Sequence, residues 1–149
     1  MKEEDKDLLL KDLSARLTYN VKAYVKNWSK LDRKYYEGVY TVESIHPSLN
    51  NILAYSEKCS VEVIVGYDDY EIKPYLFPLS SMTDEQKKTL KVLCDWNDEE
   101  ADAQSILVLY QKHFVMKTDV IDWLNENHFD YRGLIEKGLA IDATGLNIY

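Results

Sequence analysis

The chain has 149 residues, of which 46% are hydrophobic, and a formal net charge of -8 at pH 7. This length suits one domain with its own core, and the hydrophobic content excludes wholesale disorder. The negative charge works against a general affinity for nucleic acid or anionic membranes.

Targeting and redox signals are weak in this sequence. No stretch approaches the roughly 18 apolar residues of a membrane span, and the N-terminus has no apolar signal core. The two cysteines, Cys59 and Cys94, belong to no metal-binding or CxxC spacing. We therefore expect reduced thiols, cytoplasmic localisation and no membrane partner.

The first part of the chain predicts a helix followed by strands. Leu10, Leu13 and Leu17 recur at helical spacing, so residues 3–17 are predicted to form an amphipathic helix. Asn20 is a plausible left-handed stop for it. Period-two alternation then begins and predicts a sheet region over residues 21–76, whose candidate strands are 21–28, 35–45, 52–55, 59–65 and 70–72. The pair Asp68-Asp69 is interpreted as the turn of a hairpin between the last two strands.

The second part of the chain, residues 83–138, predicts helices. Thr83 and Gln86 have the spacing of a capping box, which indicates a helix to about Asp95. Residues 101–114 fit a helix better than a buried strand. Thr118 is expected to cap a helix over 119–128, and a last short helix over 131–137 is predicted to end at Gly138 in a Schellman motif. The tail, residues 141–149, has no strong pattern and is expected to be loose.

This order of elements predicts one α+β domain spanning residues 1–149. It consists of an N-terminal helix, an antiparallel β-meander of four or five strands, and C-terminal helices packed on one side. Helices segregated from an antiparallel sheet distinguish this class from a doubly wound α/β fold.

Two stretches have a distinctive amino-acid sequence: residues 73–83 (KPYLFPLSSMT) and residues 121–140 (IDWLNENHFDYRGLIEKGLA). They resemble short uncharacterised proteins of gut Bacteroides-type bacteria and their prophages or mobile elements, to which the helix at residues 7–17 is similar as well. The resemblance implies a genomic setting and no particular activity.

Motifs for catalysis or cofactor binding are absent from the sequence. The five glycines form neither GxGxxG nor a P-loop, and there is no HExxH, GxSxG or zinc-finger spacing. We therefore expect no cofactor, no metal and no catalytic residues. His113 and His128 could meet if their helices are neighbours, but packing is the simpler interpretation. The carboxylate clusters at residues 68–71 and 98–102 are interpreted as a turn and a solvated linker, rather than as cation sites.

One basic and aromatic segment is a candidate macromolecule-binding face. Lysines interleaved with aromatic rings can follow phosphates while the rings stack on bases. The same pattern also fits a solvated sheet face, or a surface for a protein partner or a second copy of the chain. The candidate residues are Lys22, Tyr24, Lys26, Trp28, Lys30, Arg33, Lys34 and Tyr36.

Three functional hypotheses follow. The leading one is a non-enzymatic interaction or regulatory accessory protein of a mobile element or prophage, which binds another macromolecule, in the first place a protein. The alternative is a single-stranded nucleic-acid-binding module that uses the 22–36 face. The third is a small metal-dependent enzyme built on His113, His128 and a nearby carboxylate.

Overall fold

A computed structural model describes residues 1–29, 33–66, 70–98, 100–113 and 116–149, without the side chains of Ser29 and His113. The elements in chain order are α1 (Glu3–Arg16), β1 (Lys22–Ser29), β2 (Lys34–His46), β3 (Asn51–Tyr55), β4 (Ser60–Ile64), β5 (Tyr70–Leu76), α2 (Asp84–Leu93), α3 (Ala103–His113), α4 (Thr118–Glu126) and β6 (Ile141–Asp142). The α+β class is confirmed, with the N-terminal helix, the sheet and the C-terminal helices in the predicted order.

The six-stranded sheet is mixed, with strand order β4-β3-β2-β1-β5-β6. The first five strands are antiparallel to their neighbours, and β6 is parallel to β5. The predicted hairpin between β4 and β5 is wrong, because β5 pairs with β1 instead. The predicted turn residues Asp68 and Asp69 lie outside the described residues. The sheet curls enough for Asn27 on β1 to donate a hydrogen bond to the Glu62 carbonyl on β4, at 3.2 Å.

Pro74 lies inside β5 without breaking the sheet. The Leu76 carbonyl accepts a bond from the Ala143 amide at 2.8 Å, so the polar backbone groups of Leu76 face β6. Alternation along the strand makes the Pro74 nitrogen face that same side, away from β1. The missing N–H of proline therefore removes no bond from the β1–β5 ladder.

Two hydrophobic clusters form the core. The first lies between the inner sheet face and α1, where Leu9 and Leu13 are fully buried against strand residues such as Val25 and Val63. The second lies among α2, α3 and α4, around Leu90 and Leu124. The hydrophobic periodicity of the sequence predicts a core that includes Leu10, Leu13, Val63, Leu90, Leu124 and Leu134, and the burial of all six is confirmed.

Local signals in the helical region have mixed outcomes. The capping box of Thr83 and Gln86 is present, and residues 103–113 are helical, as predicted. Thr118 is the first residue of α4 and not its cap, because Lys117 occupies that position without a side-chain bond. Asn20 has the left-handed conformation that stops the N-terminal helical segment.

The predicted helix over residues 131–137 is wrong. The Asp130 carboxylate accepts bonds from the amides of Leu134 and Ile135, at 2.9 and 2.8 Å, and this holds the segment in a single turn. The Schellman bonds at Gly138 are nevertheless formed, from the Leu139 amide to the Leu134 carbonyl and from the Gly138 amide to the Ile135 carbonyl. The capping geometry therefore exists without the helix.

The tail at residues 141–149 is fixed to the sheet, contrary to the expectation that it is loose. Ile141–Asp142 pairs with β5, and Ala143 is buried. The Tyr149 hydroxyl donates to the Tyr75 carbonyl at 2.8 Å. These contacts tie the tail to β5.

Candidate macromolecule-binding surface

The first strand separates its side chains as the alternation predicts. Val21, Ala23 and Val25 are fully buried on the inner face of the sheet. The predicted binding residues of this strand, Lys22, Tyr24, Lys26 and Trp28, are half-buried on the opposite face. Four of the eight candidate residues therefore share one surface.

Two of the remaining candidates lie on the other face of the sheet. Lys34 and Tyr36 are opposite Ser29 and Asn27, so alternation places them on the other face of the sheet. Arg33 is exposed in the turn before β2, with a left-handed φ of 52°. Lys30 lies outside the described residues. Two of the eight candidate residues, Lys34 and Tyr36, therefore lie on the opposite face of the sheet from the candidates of β1.

The register between β1 and β2 identifies the residues that lie beside the candidates of β1 on the same face of the sheet. Tyr35 is opposite Trp28, Glu37 is opposite Lys26, and Val39 is opposite Tyr24. Tyr55 reaches the same side through its pairing with Thr41, which is opposite Lys22. We call this surface the outer face: Tyr24, Lys26, Trp28, Tyr35, Glu37, Val39 and Tyr55. Sequence reasoning missed Glu37 and Val39 on β2 and Tyr55 on β3 because only the alternation of β1 was used to define the face.

The outer face exposes apolar and aromatic groups. Tyr35 is 50% exposed, Val39 43% and Tyr55 44%. The rings of Trp28 and Tyr35 are in tilted contact, with centroids 4.8 Å apart. Aromatic rings held on a sheet lose little conformational entropy on binding, and Tyr and Trp are enriched among the residues that anchor protein interfaces.

Lys26, the lysine of the outer face, lies beside carboxylates and an aromatic ring. Lys26 is opposite Glu37 on β2 and Glu71 on β5, and its ammonium is 4.7 Å from the centre of the Tyr35 ring. Glu71 also forms an ion pair of 2.9 Å with Lys73. The surface therefore carries nearly balanced charge, not a basic stripe.

Lys22 forms hydrogen bonds with the C-terminal tail. Its ammonium donates to the Ile148 carbonyl at 2.6 Å, and its amide donates to the Tyr149 hydroxyl at 3.1 Å. Because that hydroxyl in turn donates to the Tyr75 carbonyl, it bridges β1 and β5 just beyond their paired residues. Lys22 is thus part of the fold and is withdrawn from any binding role.

His128 is a packing residue. Its ring stacks on Tyr149 with centroids 3.8 Å apart. Burial, reinforced by the charges of Arg16 and Lys22, lowers the pKa of His128 to about 4. The imidazole is therefore neutral at pH 7 and belongs to the attachment of the tail.

The described part of the chain contains no group of three or more His, Cys, Asp or Glu side chains that could hold a metal ion. The side chain of His113 is outside that part, as are Asp68, Asp69 and Glu99. Asp102 accepts hydrogen bonds from the amide and hydroxyl of Ser105, which is a helix-capping arrangement.

A buried ionic cluster connects α1 to the segment after α4. Arg16 donates to both carboxylate oxygens of Asp12, at 2.8 and 3.1 Å, and to the Phe129 carbonyl at 2.8 Å. Arg132 donates to the same carboxylate at 3.1 Å. Asp12 and Arg16 are fully buried, so this cluster fastens the helix and has no access to a ligand.

Comparison with models of protein families, with curated proteins and with solved structures found no match. Among the described residues, no helix has the length and apolar character needed to cross a membrane.

Proposed function

We propose that this protein is a non-enzymatic binding module that recognises another protein through its outer face. The observation that carries the proposal is the exposure of Tyr35, Val39 and Tyr55 on one face of a sheet whose other face packs on the core. Such aromatic and apolar groups on a rigid support are the usual anchors of protein interfaces.

The charges of the outer face favour a protein over a nucleic-acid strand. A phosphate approaching Lys26 also meets the carboxylates of Glu37 and Glu71, the residues directly opposite it. The net charge of -8 adds long-range repulsion. Binding of single strands, the alternative, depends on backbone neutralisation that this surface supplies poorly.

The resemblance to short proteins of Bacteroides-type bacteria and their mobile elements supports a role as an accessory or regulatory factor of such an element. Cytoplasmic residence is part of the proposal and agrees with the free thiols of Cys59 and Cys94. The partner is then a protein of the same element or of its host.

The experiment compares two surface variants of the full chain as baits in a lysate of the source cells. One variant carries Tyr35→Ser, Val39→Ser and Tyr55→Ser on the outer face. Its matched control carries Val92→Ser, Val108→Ser and Leu109→Ser, three exposed apolar residues of α2 and α3. The proposal expects one protein to be retained by the wild type and the control but lost by the outer-face variant.

Two results would contradict the proposal. Loss of the partner by the control alone would move the interface to the helices. Micromolar binding of a short single-stranded oligonucleotide, abolished by Lys26→Glu, would establish the nucleic-acid alternative. Fluorescence anisotropy at low salt measures the second result.

A further inference from the structure

The second strand has an open edge along half of its length. Residues 34–41 pair with β1 on one side, whereas β3 begins its pairing on the other side only at Thr41. In the described part of the chain, no strand pairs with residues 34–40 on the β3 side. An exposed strand edge of this kind is a template for a further strand.

The backbone groups at this edge can be assigned. The Val42 amide donates to the Val21 carbonyl at 3.0 Å, so the polar backbone groups of Val42 face β1. The register is regular from residue 34 to residue 41. Alternation along β2 then directs the N–H and C=O of Tyr35, Glu37 and Val39 away from β1. These residues thus present three donors and three acceptors in a row.

An open groove of about 780 Å³ runs beside this edge. Consecutive residues from Tyr36 to Thr41 line it, so the groove follows the edge of β2, and it also reaches Lys22 of β1 on the outer side of the sheet. Tyr55 at the end of β3 and residues 56–59, which connect β3 to β4, form the other wall. Gly38 leaves space there, because a Cβ atom at this position would meet only the Tyr40 ring, at 3.8 Å.

We propose that this edge binds an extended segment of a partner protein as an additional β-strand, paired to Tyr35, Glu37 and Val39. Main-chain hydrogen bonds supply affinity in such strand addition, and alternate side chains supply specificity. The inference rests on the proposed function and specifies how the partner protein binds. The space beside Gly38 accepts an apolar side chain, and Glu37 at the centre favours lysine or arginine opposite it.

A second copy of the chain fits this edge poorly. Antiparallel pairing of two copies through these three residues centres on Glu37 and sets two carboxylates opposite each other. Like charges in that position destabilise a strand pair. The net charge of -8 on each copy adds repulsion, whereas a basic segment is attracted.

The test uses peptides selected against the full chain from a random library displayed on phage. Each selected peptide is resynthesised with single N-methyl groups at successive amides. Strand addition predicts that methylation at alternate positions weakens binding by about tenfold or more, while methylation at the positions between them has little effect. Selected peptides should contain a basic residue between apolar ones.

Variants of the protein supply the complementary measurement. Val39→Pro removes one N–H that faces the groove and leaves the β1 ladder intact, so its affinity should fall about tenfold. Val39→Ile, its matched control, keeps both the N–H and an apolar β-branched side chain and should lose little. Glu37→Pro compared with Glu37→Asp, which keeps both the N–H and the carboxylate, provides a second pair, and circular dichroism verifies that each variant folds.

The inference is overturned by any of three results. These are a library that yields no binder, methylation effects without alternation, and equal losses in the proline variants and their controls. None of these results decides the proposed function. The outer-face variant with three serines tests that function separately, because it leaves the backbone of β2 unchanged.

Discussion

The buried pair of Asp12 and Arg16 gives the sharpest prediction about stability. Asp12→Ala removes the carboxylate that accepts two of the hydrogen bonds donated by Arg16, and leaves the guanidinium with its bond to the Phe129 carbonyl. Both side chains are fully buried, so water does not replace the lost partner. Breaking a buried ion pair from one side costs about 3–5 kcal/mol, which is the loss in unfolding free energy that we expect.

The double variant separates the charge effect from lost packing. Asp12→Ala with Arg16→Met leaves no unpaired charge at the centre, and Arg132 is partly exposed and can turn to water. We therefore expect the double variant to be more stable than Asp12→Ala alone. Urea unfolding followed by far-UV circular dichroism measures both. A loss under about 1 kcal/mol for Asp12→Ala, or additive losses in the double variant, would refute the reasoning.

Three further predictions concern the tail, a cap and the second core. His128 has a folded-state pKa of about 4, below its ordinary value of 6.5, so the unfolded chain binds the proton first. Stability should therefore fall by up to about 3 kcal/mol as the pH drops from 6.5 to 4, and His128→Phe should flatten this dependence in urea titrations across that range. Thr83→Ala should cost about 1 kcal/mol through loss of the Gln86 amide bond, and an unchanged urea midpoint would count against the cap. Leu124→Ala should cost about 2–5 kcal/mol by leaving a cavity among the C-terminal helices, a loss that calorimetry would detect as a lower Tm.

Local periodicity was sufficient to predict most helices and strands. The alternation around Val21, Ala23 and Val25 predicted an inner face that is fully buried. The capping box at Thr83 is a contact between near neighbours and follows from spacing alone. Such signals depend on residues close in sequence, which is why the sequence contains them.

Long-range pairing was the part that the sequence did not reveal. The partner of β5 is β1 rather than β4, and only the register across the sheet brings Tyr35 and Val39 beside Trp28 and Tyr24. Asp130 holds its segment in a turn through amides four and five residues on, although the local pattern favours a helix. Tertiary contacts override local propensity at such places.

The candidate site also combines features that a local pattern predicts with features that depend on long-range contacts. The sharing of one face by Lys22, Tyr24, Lys26 and Trp28 followed from parity, and the structure agrees. The capture of Lys22 by Tyr149 involves a contact across 127 residues, for which no local pattern exists. The open edge of β2 likewise results from the shorter length of β3, which becomes visible only when the two strands are aligned.

Amide hydrogen exchange along β2 tests the central claim, that a partner protein adds a strand at this edge, most directly. In the free protein, the amides of Tyr35, Glu37 and Val39 should exchange quickly, while that of Gly38, which faces β1, should be protected. Addition of a selected peptide should protect the three fast amides and leave Gly38 unchanged. Uniform protection of these amides in the free protein, or fast exchange that persists at saturating peptide, would contradict the account.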